Sequence, residues 1–329
     1  MSSVLANVDG GCYRLLTPPA ILIIFIAGTL INRRRSIRLP ETPSVESPLL
    51  ADDPDAKPTE DEYSADTVDN SRTVQSRILA RFPFLLEIWY WLLTYWIYQG
   101  ARAVSARWIS GHQAIFDGAE RHARQVLRVE ALFHFNIELS VQQFVLGTAP
   151  WLMALLARVY YSHITVGVLF LVYCYTFCKR SKYQEIRRTL ALENVIAFTL
   201  LTLWRCMPPR LLPGEYGFLD VLHSNRGGSA WTQNKFQLTI AAMPSLHFGN
   251  SLFVALCLVH FSPHWYVRMV APVWPTLMGV TIVATANHFI LDAVAGACVV
   301  LAAYQFNSLM LGLLPVERRV FRGLGLEKR

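Results

Sequence analysis

Five polar residues in the C-terminal part of the chain have types and spacing that could support nucleophilic chemistry. Arg210 follows two prolines, Ser245 and His247 lie in the tetrapeptide PSLH, and His288 precedes Asp292 by four residues. Residues four apart share one face of a helix, so Asp292 can hold one ring nitrogen of His288 and leave the other free to attack. The pattern therefore predicts a histidine that can act as a nucleophile.

Each of these residues also has an ordinary structural interpretation. Ser245 and Asp292 could cap helices, His247 could lie at a membrane interface, and Arg210 could extend toward lipid headgroups. The chemical interpretation depends on whether the surrounding elements bring the five residues to one surface.

The composition predicts a membrane protein. Of the 329 residues, 53% are apolar and 16% are charged, which is unusual for a water-soluble protein. The apolar residues form stretches of roughly 17–25 residues, long enough to cross a bilayer as helices. These stretches lie at about 16–31, 84–99, 141–158, 160–178, 190–206, 246–261, 268–286 and 289–313. The predicted fold class is all-α, a polytopic membrane helical bundle.

The positive charges predict the orientation. The net charge is +7, and Lys and Arg concentrate between the apolar stretches, which is typical of membrane orientation and not of nucleic-acid binding. Residues 179–188 and the tail are basic and should be cytosolic. Counting crossings then brings residues 207–245 and the corner near Asn287 to the non-cytosolic face, and assigns residues 100–140 to the cytosolic face. One conflict is that the basic residues 33–35 come out on the non-cytosolic side.

Composition divides the chain into five predicted parts. They are an apolar anchor-like segment (1–38), a disordered acidic and Pro-rich linker (39–80), an additional membrane helix with an amphipathic cytosolic segment (81–140), a region of successive apolar spans (141–313) and a basic cytosolic tail (314–329).

Three segments carry a resemblance to a known family. MPPRLL at 207–212, AAMPSLHFG at 241–249 and ANHFILDAVAG at 286–296 resemble motifs of the type 2 phosphatidic acid phosphatase superfamily, and within it the fungal inositol phosphorylceramide synthase-like branch. The resemblance covers roughly residues 84–313. It implies a six-helix core that begins at 141, with the motifs after the third helix, at the start of the fourth, and between the fifth and sixth.

The resemblance also implies a role for each residue. His288 would be the nucleophile that forms a phosphohistidine, and Asp292 would orient it. His247 would protonate the leaving oxygen and later deprotonate the acceptor. Arg210 and Ser245 would bind the phosphate oxygens.

The chain departs from the superfamily pattern at two basic positions. Leu203 replaces a lysine before the first motif, and Thr281-Ile282 replaces a Ser-Arg pair before the third motif. The missing arginine is a feature of the inositol phosphorylceramide synthase-like branch. Three basic residues lie near enough in sequence to compensate, namely Arg205, Arg226 and Lys235.

Further candidates for substrate contact lie outside the motifs. Tyr160, Tyr161 and His163 are predicted in a tight turn between two spans, on the face of the motifs, and Asp220 and Asn234 lie in the long loop.

Another polar group, Glu130, His134 and Glu138, shares one helical stripe. We interpret it as the polar face of a helix that enters the membrane, in preference to a metal site.

The leading prediction is a membrane lipid phosphotransferase that resembles inositol phosphorylceramide synthase. The alternatives are a lipid phosphate or isoprenoid diphosphate phosphatase with the same site, and a non-catalytic membrane relative. The mechanism needs no metal or cofactor, and the expected partners are membrane lipids in the bilayer, with no nucleic acid. We expect an endomembrane location, endoplasmic reticulum or Golgi, with the active site on the lumenal face. The sequence does not predict an oligomeric state.

Overall fold

The computed structural model describes residues 10–34, 74–222 and 240–323. These residues form helices and short 3-10 turns, and no strand occurs among them beyond one isolated bridge between Cys206 and Ala241. The all-α prediction is confirmed. The helices are α1 (Gly10–Ile31), α2 (Val74–Arg81), α3 (Phe84–Ile109), α4 (Gln113–Leu132), α5 (Glu138–Thr148), α6 (Pro150–Phe177), α7 (Arg180–Leu203), α8 (Leu246–Phe261), α9 (Trp265–Val270), α10 (Val273–Ala284), α11 (Ile290–Gln305) and α12 (Leu314–Gly323).

Helix α6 is one continuous element where the sequence predicted two spans and a turn. No glycine or proline interrupts residues 159–163, and the polar side chains there bond to nearby carbonyl groups. Ser162 donates to the carbonyl oxygen of Val159 at 2.9 Å, and Nδ1 of His163 lies 2.9 Å from the carbonyl oxygen of Tyr160. The polar residues 160–163 therefore lie on an internal surface of α6, and the predicted turn is wrong.

The far end of the bundle is the end at which α1 and α6 finish and α3 and α7 begin. There the Asn32 side chain donates to Thr176 at 2.9 Å. The buried carboxylate of Glu87 pairs with Arg180 at 3.3 Å and with Arg187 at 2.8 Å. These contacts tie the N-terminal helices to the rest of the bundle.

The site end is the opposite end, where α3 and α7 finish and α11 begins. Arg205 donates to Ser105 at 2.9 Å, and Met207 donates its backbone N–H to the carbonyl oxygen of Ala119 at 3.1 Å. Helices α4 and α5 therefore lie beside the segment that follows α7.

This arrangement corrects the relative placement of residues 100–140. The sequence predicted that segment and the motifs on opposite faces of the membrane. The structure brings both to the site end, so that prediction is wrong. The cause is the continuous α6, which removes one crossing. Arg34 donates its N–H to the carbonyl oxygen of Arg81 at 3.0 Å, so Arg33 and Arg34 lie at the far end, the same end as residues 179–188.

The helices that carry the second and third motifs cross at two glycines. A Cβ atom added to Gly249 would lie 2.8 Å from the carbonyl oxygen of Gly296. At the start of α8, the N–H of Ser245 donates to the carbonyl oxygen of Asp292 at 2.9 Å. Only glycine allows so close an approach of two backbones, and the crossing aligns the starts of α8 and α11.

Length and composition identify the segments suited to a bilayer. Among the described residues, two segments are long and apolar enough to cross, Pro150–Phe177 and Trp265–Ala284, and a third is formed if Ile290–Gln305 and Asn307–Val320, bent by 56°, make one span. Large apolar side chains also cover the outer surface, such as Trp151 at 70% exposure. The chain is a membrane protein with a helical bundle.

Candidate active site

The imidazole of His288 is held by a backbone carbonyl group. Its Nδ1 lies 2.7 Å from the carbonyl oxygen of Ala242, while the carboxylate of Asp292 is 3.5 Å away. A carbonyl oxygen only accepts hydrogen bonds, so Nδ1 carries the proton and the neutral ring presents an unprotonated Nε2. The sequence predicted this tautomer but assigned it to Asp292 alone, and the carbonyl group of Ala242 is the closer partner.

Asp292 also accepts a hydrogen bond as a helix cap, the structural role that its position in the sequence allowed. It is fully buried, and its Oδ2 accepts the N–H of Phe289 at 2.9 Å. The same oxygen is the one that faces His288. Asp292 thus caps α11 and supplies negative charge beside the imidazole.

Two further carboxyl groups cap the same helix. Glu138 accepts the N–H of Ile290 at 3.1 Å, and Glu130 accepts the N–H of Leu291 at 2.8 Å. Three successive N–H groups at the start of α11 are therefore bonded to buried carboxyl groups. Burial raises the pKa of Glu130 to about 8, and burial also raises the pKa of Glu138.

The predicted polar stripe is thus a set of helix caps. Glu130 and Glu138 bind backbone N–H groups, and His134 is exposed and does not join them. Within residues 10–34, 74–222 and 240–323, no group of His, Cys, Asp or Glu side chains is arranged to hold a metal ion.

Arg210 is fixed from three directions. Its Nε donates to Asn287 at 2.9 Å, its Nη1 donates to Asp220 at 2.8 Å, and its backbone N–H donates to the carbonyl oxygen of Ala286 at 2.9 Å. A guanidinium group has five N–H donors, so others stay available for an anion. Asp220, a candidate for substrate contact, is instead a partner that positions Arg210.

His247 lies between aromatic rings and His288. Its ring stacks on Tyr160 with centroids 4.2 Å apart, meets His163 edge to face at 4.3 Å, and lies 5.7 Å from the ring of His288. Its Nε2 is buried and has no hydrogen-bond partner among the described residues. This nitrogen is suited to exchange a proton with a bound substrate.

Ser245 lies beneath the site as a helix cap. Its hydroxyl oxygen accepts the N–H of Phe248 at 3.4 Å, and its own N–H is bonded to Asp292. The structure therefore does not bring Ser245 to the surface predicted to bind phosphate. The N–H groups of Leu246 and His247 have no acceptor in the part of the chain that the structure describes, and such first-turn donors can bind anions.

One cavity of about 280 Å³ connects these groups. Its lining includes Arg210, His247 and His288, together with Tyr160, Tyr161, His163 and Asn287. Tyr161 donates to the carbonyl oxygen of Leu222 at 2.9 Å. Tyr160, Tyr161 and His163 thus lie by the site as predicted, on the inner face of α6 and not in a turn, whereas Asn234 lies outside the described residues.

Helix α3 contributes residues to the cavity that were not predicted from the sequence. Arg102, Tyr95, Tyr98 and Gln99 line the same cavity. The predicted span ended at residue 99, but α3 continues to Ile109. A signal was present, because an arginine within a helix that enters a bundle needs a polar environment.

A second cavity of about 230 Å³ continues toward the far end. The two cavities share lining residues, among them Tyr98, His163, Asn194 and Asn250. The lining of the second cavity is mostly apolar and aromatic, as at Trp91, and it also includes Glu87 and Arg187. The adjoining cavities thus have a polar end at His288 and a mostly apolar middle part.

Comparison with known proteins identifies the family. No curated protein and no solved structure matches the chain. Residues 124–306 match the family model described as PAP2 superfamily, and this range includes all three motifs. Because the match covers more than half of the chain, the protein belongs to the PAP2 superfamily, membership of which supports a phosphatase or phosphotransferase function on lipids.

Proposed function

We propose that the chain is a membrane lipid phosphotransferase that acts through a phosphohistidine at His288. One observation carries the proposal. The Nδ1 of His288 is bonded to the carbonyl group of Ala242, which leaves Nε2 as a nucleophile in a cavity that also contains Arg210 and His247. A scaffold protein has no need for this combination.

The reaction would have two steps. In the first, Nε2 of His288 attacks phosphorus, the bond to the leaving oxygen breaks, and His247 donates a proton to that oxygen. In the second, an acceptor hydroxyl group attacks the phosphorus, His247 takes its proton, and the histidine is released. Arg210 neutralises charge on the phosphate oxygens throughout, which supplies much of the catalysis in phosphoryl transfer.

The acceptor decides between a transferase and a phosphatase. The resemblance of the motifs to the inositol phosphorylceramide synthase-like branch favours a lipid or polyol hydroxyl group, and so does Ile282, fully buried at the position of the missing arginine. The mostly apolar and aromatic lining of the cavity that adjoins the site supports a lipid reactant. A phosphatase with water as the acceptor would use the same first step.

The location is part of the proposal. Basic residues at the far end, including Arg34, Arg81 and those of residues 179–188, favour a cytosolic far end and a lumenal site in a multi-pass protein of an endomembrane. Residues 141–313 would form the catalytic core, with α3 completing its cavity.

The test uses the purified full chain in lipid nanodiscs. Labelled phosphatidylinositol with ceramide, phosphatidic acid, and an isoprenoid diphosphate are supplied in separate reactions. We expect turnover of one of these substrates by the native chain and none by His288→Ala. His260→Ala is the matched control, because His260 is an exposed histidine on α8 that bonds only to its own helix.

The products separate the candidates. Transfer of the labelled headgroup to ceramide supports the transferase, whereas release of inorganic phosphate supports the phosphatase. A native chain that turns over none of the three, or a His288→Ala variant with full activity, would contradict the proposal.

A further inference from the structure

We infer that Arg102, on α3, provides a second cation that binds the substrate phosphate together with Arg210. The inference rests on the proposed function and deepens it. It assigns a phosphate-binding role to a residue outside the three motifs and outside the matched residues 124–306.

The cavity supplies the first argument. Arg102 lines the cavity that contains Arg210, His247 and His288. Its guanidinium carbon lies 5.8 Å from the centre of the Tyr98 ring, and Tyr98 lines the cavity as well.

The absence of a counterion supplies the second argument. Two arginines that lie inside the bundle have carboxylate partners, Arg210 with Asp220 and Arg187 with Glu87. Arg102 is half-buried and has no carboxylate within ion-pair distance in residues 10–34, 74–222 and 240–323. A half-buried cation that lines a cavity without a carboxylate partner can bind an anion there, and a bound phosphate would be that anion.

The third argument comes from the two positions, 203 and 282, at which this chain lacks the basic residues of the superfamily pattern. The side chain of Leu203 is 78% exposed on the outer surface, and Ile282 is fully buried in packing. Arg205, one of the three predicted substitutes, donates to Ser105 and does not line the cavity. Arg226 and Lys235 lie outside the described residues.

The ligand class follows from the donors. Two guanidinium groups and the first-turn N–H groups of α8 suit a tetrahedral phosphate group. Arg102 would contact the phosphate itself, so a free phosphate analogue and a lipid phosphate should depend on it equally.

Binding of inorganic orthovanadate, a phosphate analogue, tests the inference without turnover. Calorimetric titration of the full chain in nanodiscs compares the native protein with Arg102→Gln, Arg102→Lys and Arg107→Gln. Arg107 is the matched control, an exposed arginine of α3 that does not line the cavity. Loss of one charged hydrogen-bond donor should raise Kd about ten- to a hundredfold in Arg102→Gln. Arg102→Lys should lose less, and Arg107→Gln should stay within about twofold.

The same titration is repeated with a short-chain phosphatidic acid. A parallel loss of affinity for both ligands in Arg102→Gln supports the inference. Vanadate affinity within about twofold of native, loss confined to the lipid, or no vanadate binding by the native chain would each overturn it. If Arg102→Gln does not fold, Arg102→Met takes its place, with unfolding midpoints measured for every variant.

Failure of the proposed function gives a different result. In that case His288→Ala keeps its turnover, or no substrate is turned over, while the vanadate titrations still decide the role of Arg102.

Discussion

Gly296 lies directly against the backbone of Ser245. A Cβ atom added to Gly296 would be 2.2 Å from the carbonyl oxygen of Ser245, a distance that no side chain can tolerate. This contact joins the helix of the second motif to the helix of the third.

We predict that Gly296→Ala separates these helices and strongly reduces both stability and activity. Overpacking of this kind typically costs about 1–3 kcal/mol. The thermal unfolding midpoint in nanodiscs is the measurement. Gly100→Ala is the control, because Gly100 has open space around its Cα and lies within α3. A Gly296→Ala variant as stable as Gly100→Ala would show that the helices cross differently.

His247→Ala should affect substrates according to their leaving group. Loss of a general acid slows expulsion of a lipid alkoxide by about 10²- to 10⁴-fold. An activated substrate such as p-nitrophenyl phosphate needs no proton on its leaving group and should lose much less. Steady-state kinetics with both substrates makes the comparison, with His260→Ala as the control. Equal losses of activity with both substrates would contradict a general-acid role for His247.

Glu130 should make stability depend on pH. Its pKa of about 8 in the folded protein exceeds the usual value near 4.3, so between these values the folded chain holds a proton that the unfolded chain has lost. The free energy of unfolding is therefore highest at low pH and falls as the pH rises through 8. Glu138 and Asp292 are the charged groups that face it and add to the effect.

We predict a flatter profile for Glu130→Gln, which resembles the protonated acid. Unfolding midpoints at pH 5, 6.5 and 8 should fall for the native chain and change less for the variant. Glu120→Gln serves as the control, since Glu120 lies on the same helix and pairs with Arg124 near the surface. Parallel slopes in all three proteins would contradict the prediction.

Asp220→Asn should weaken substrate binding by loosening Arg210. The lost charge-assisted bond is worth about 1.5–3 kcal/mol, part of which is recovered by the remaining amide, so we expect kcat/KM to fall by roughly tenfold. Glu215→Gln in the same segment is the control, because Glu215 is exposed and forms its ion pair with Arg124. Equal kinetics for the two variants would argue against Asp220 as the partner that orients Arg210.

Cysteine labelling should distinguish two topologies. In the structure, residues 100–140 and the motifs lie at the same end of the bundle, whereas the sequence predicted them on opposite faces of the membrane. A cysteine in place of Arg121 should react from the same side of sealed vesicles as one in place of Glu215, and from the opposite side to one in place of Lys182. Membrane-impermeant maleimide is the reagent, with a chain from which accessible native cysteines have been removed as the background. Reaction of Arg121→Cys and Lys182→Cys from the same side of the vesicles would contradict this prediction and support the topology expected from the sequence.

The motifs could be predicted because their chemistry is local. The spacing of His288 and Asp292 and the positions of Arg210 and His247 follow from the sequence, and the fold brings Arg210, His247 and His288 to one cavity. The carbonyl group of Ala242 could not be predicted, because every residue has one and only the fold selects it.

The differences between prediction and structure concern polar residues that face inward. The polar residues 160–163 suggested a turn, and Glu130 and Glu138 suggested the polar face of a helix that enters the membrane. Both groups face inward, where the side chains bond to carbonyl or N–H groups. Periodicity alone does not distinguish a polar side chain that meets water from one that meets the backbone of another helix.

The three carboxyl groups at the start of α11 determine the direction from which a substrate can approach. The N–H groups that give this helix the positive pole of its macrodipole are already bonded to Asp292, Glu138 and Glu130. The start of the helix that follows His288 therefore offers these N–H groups to no incoming phosphate, whereas Arg210 and the start of α8 can attract it. Displacement in line with Nε2 would then expel the leaving group on the side away from α11.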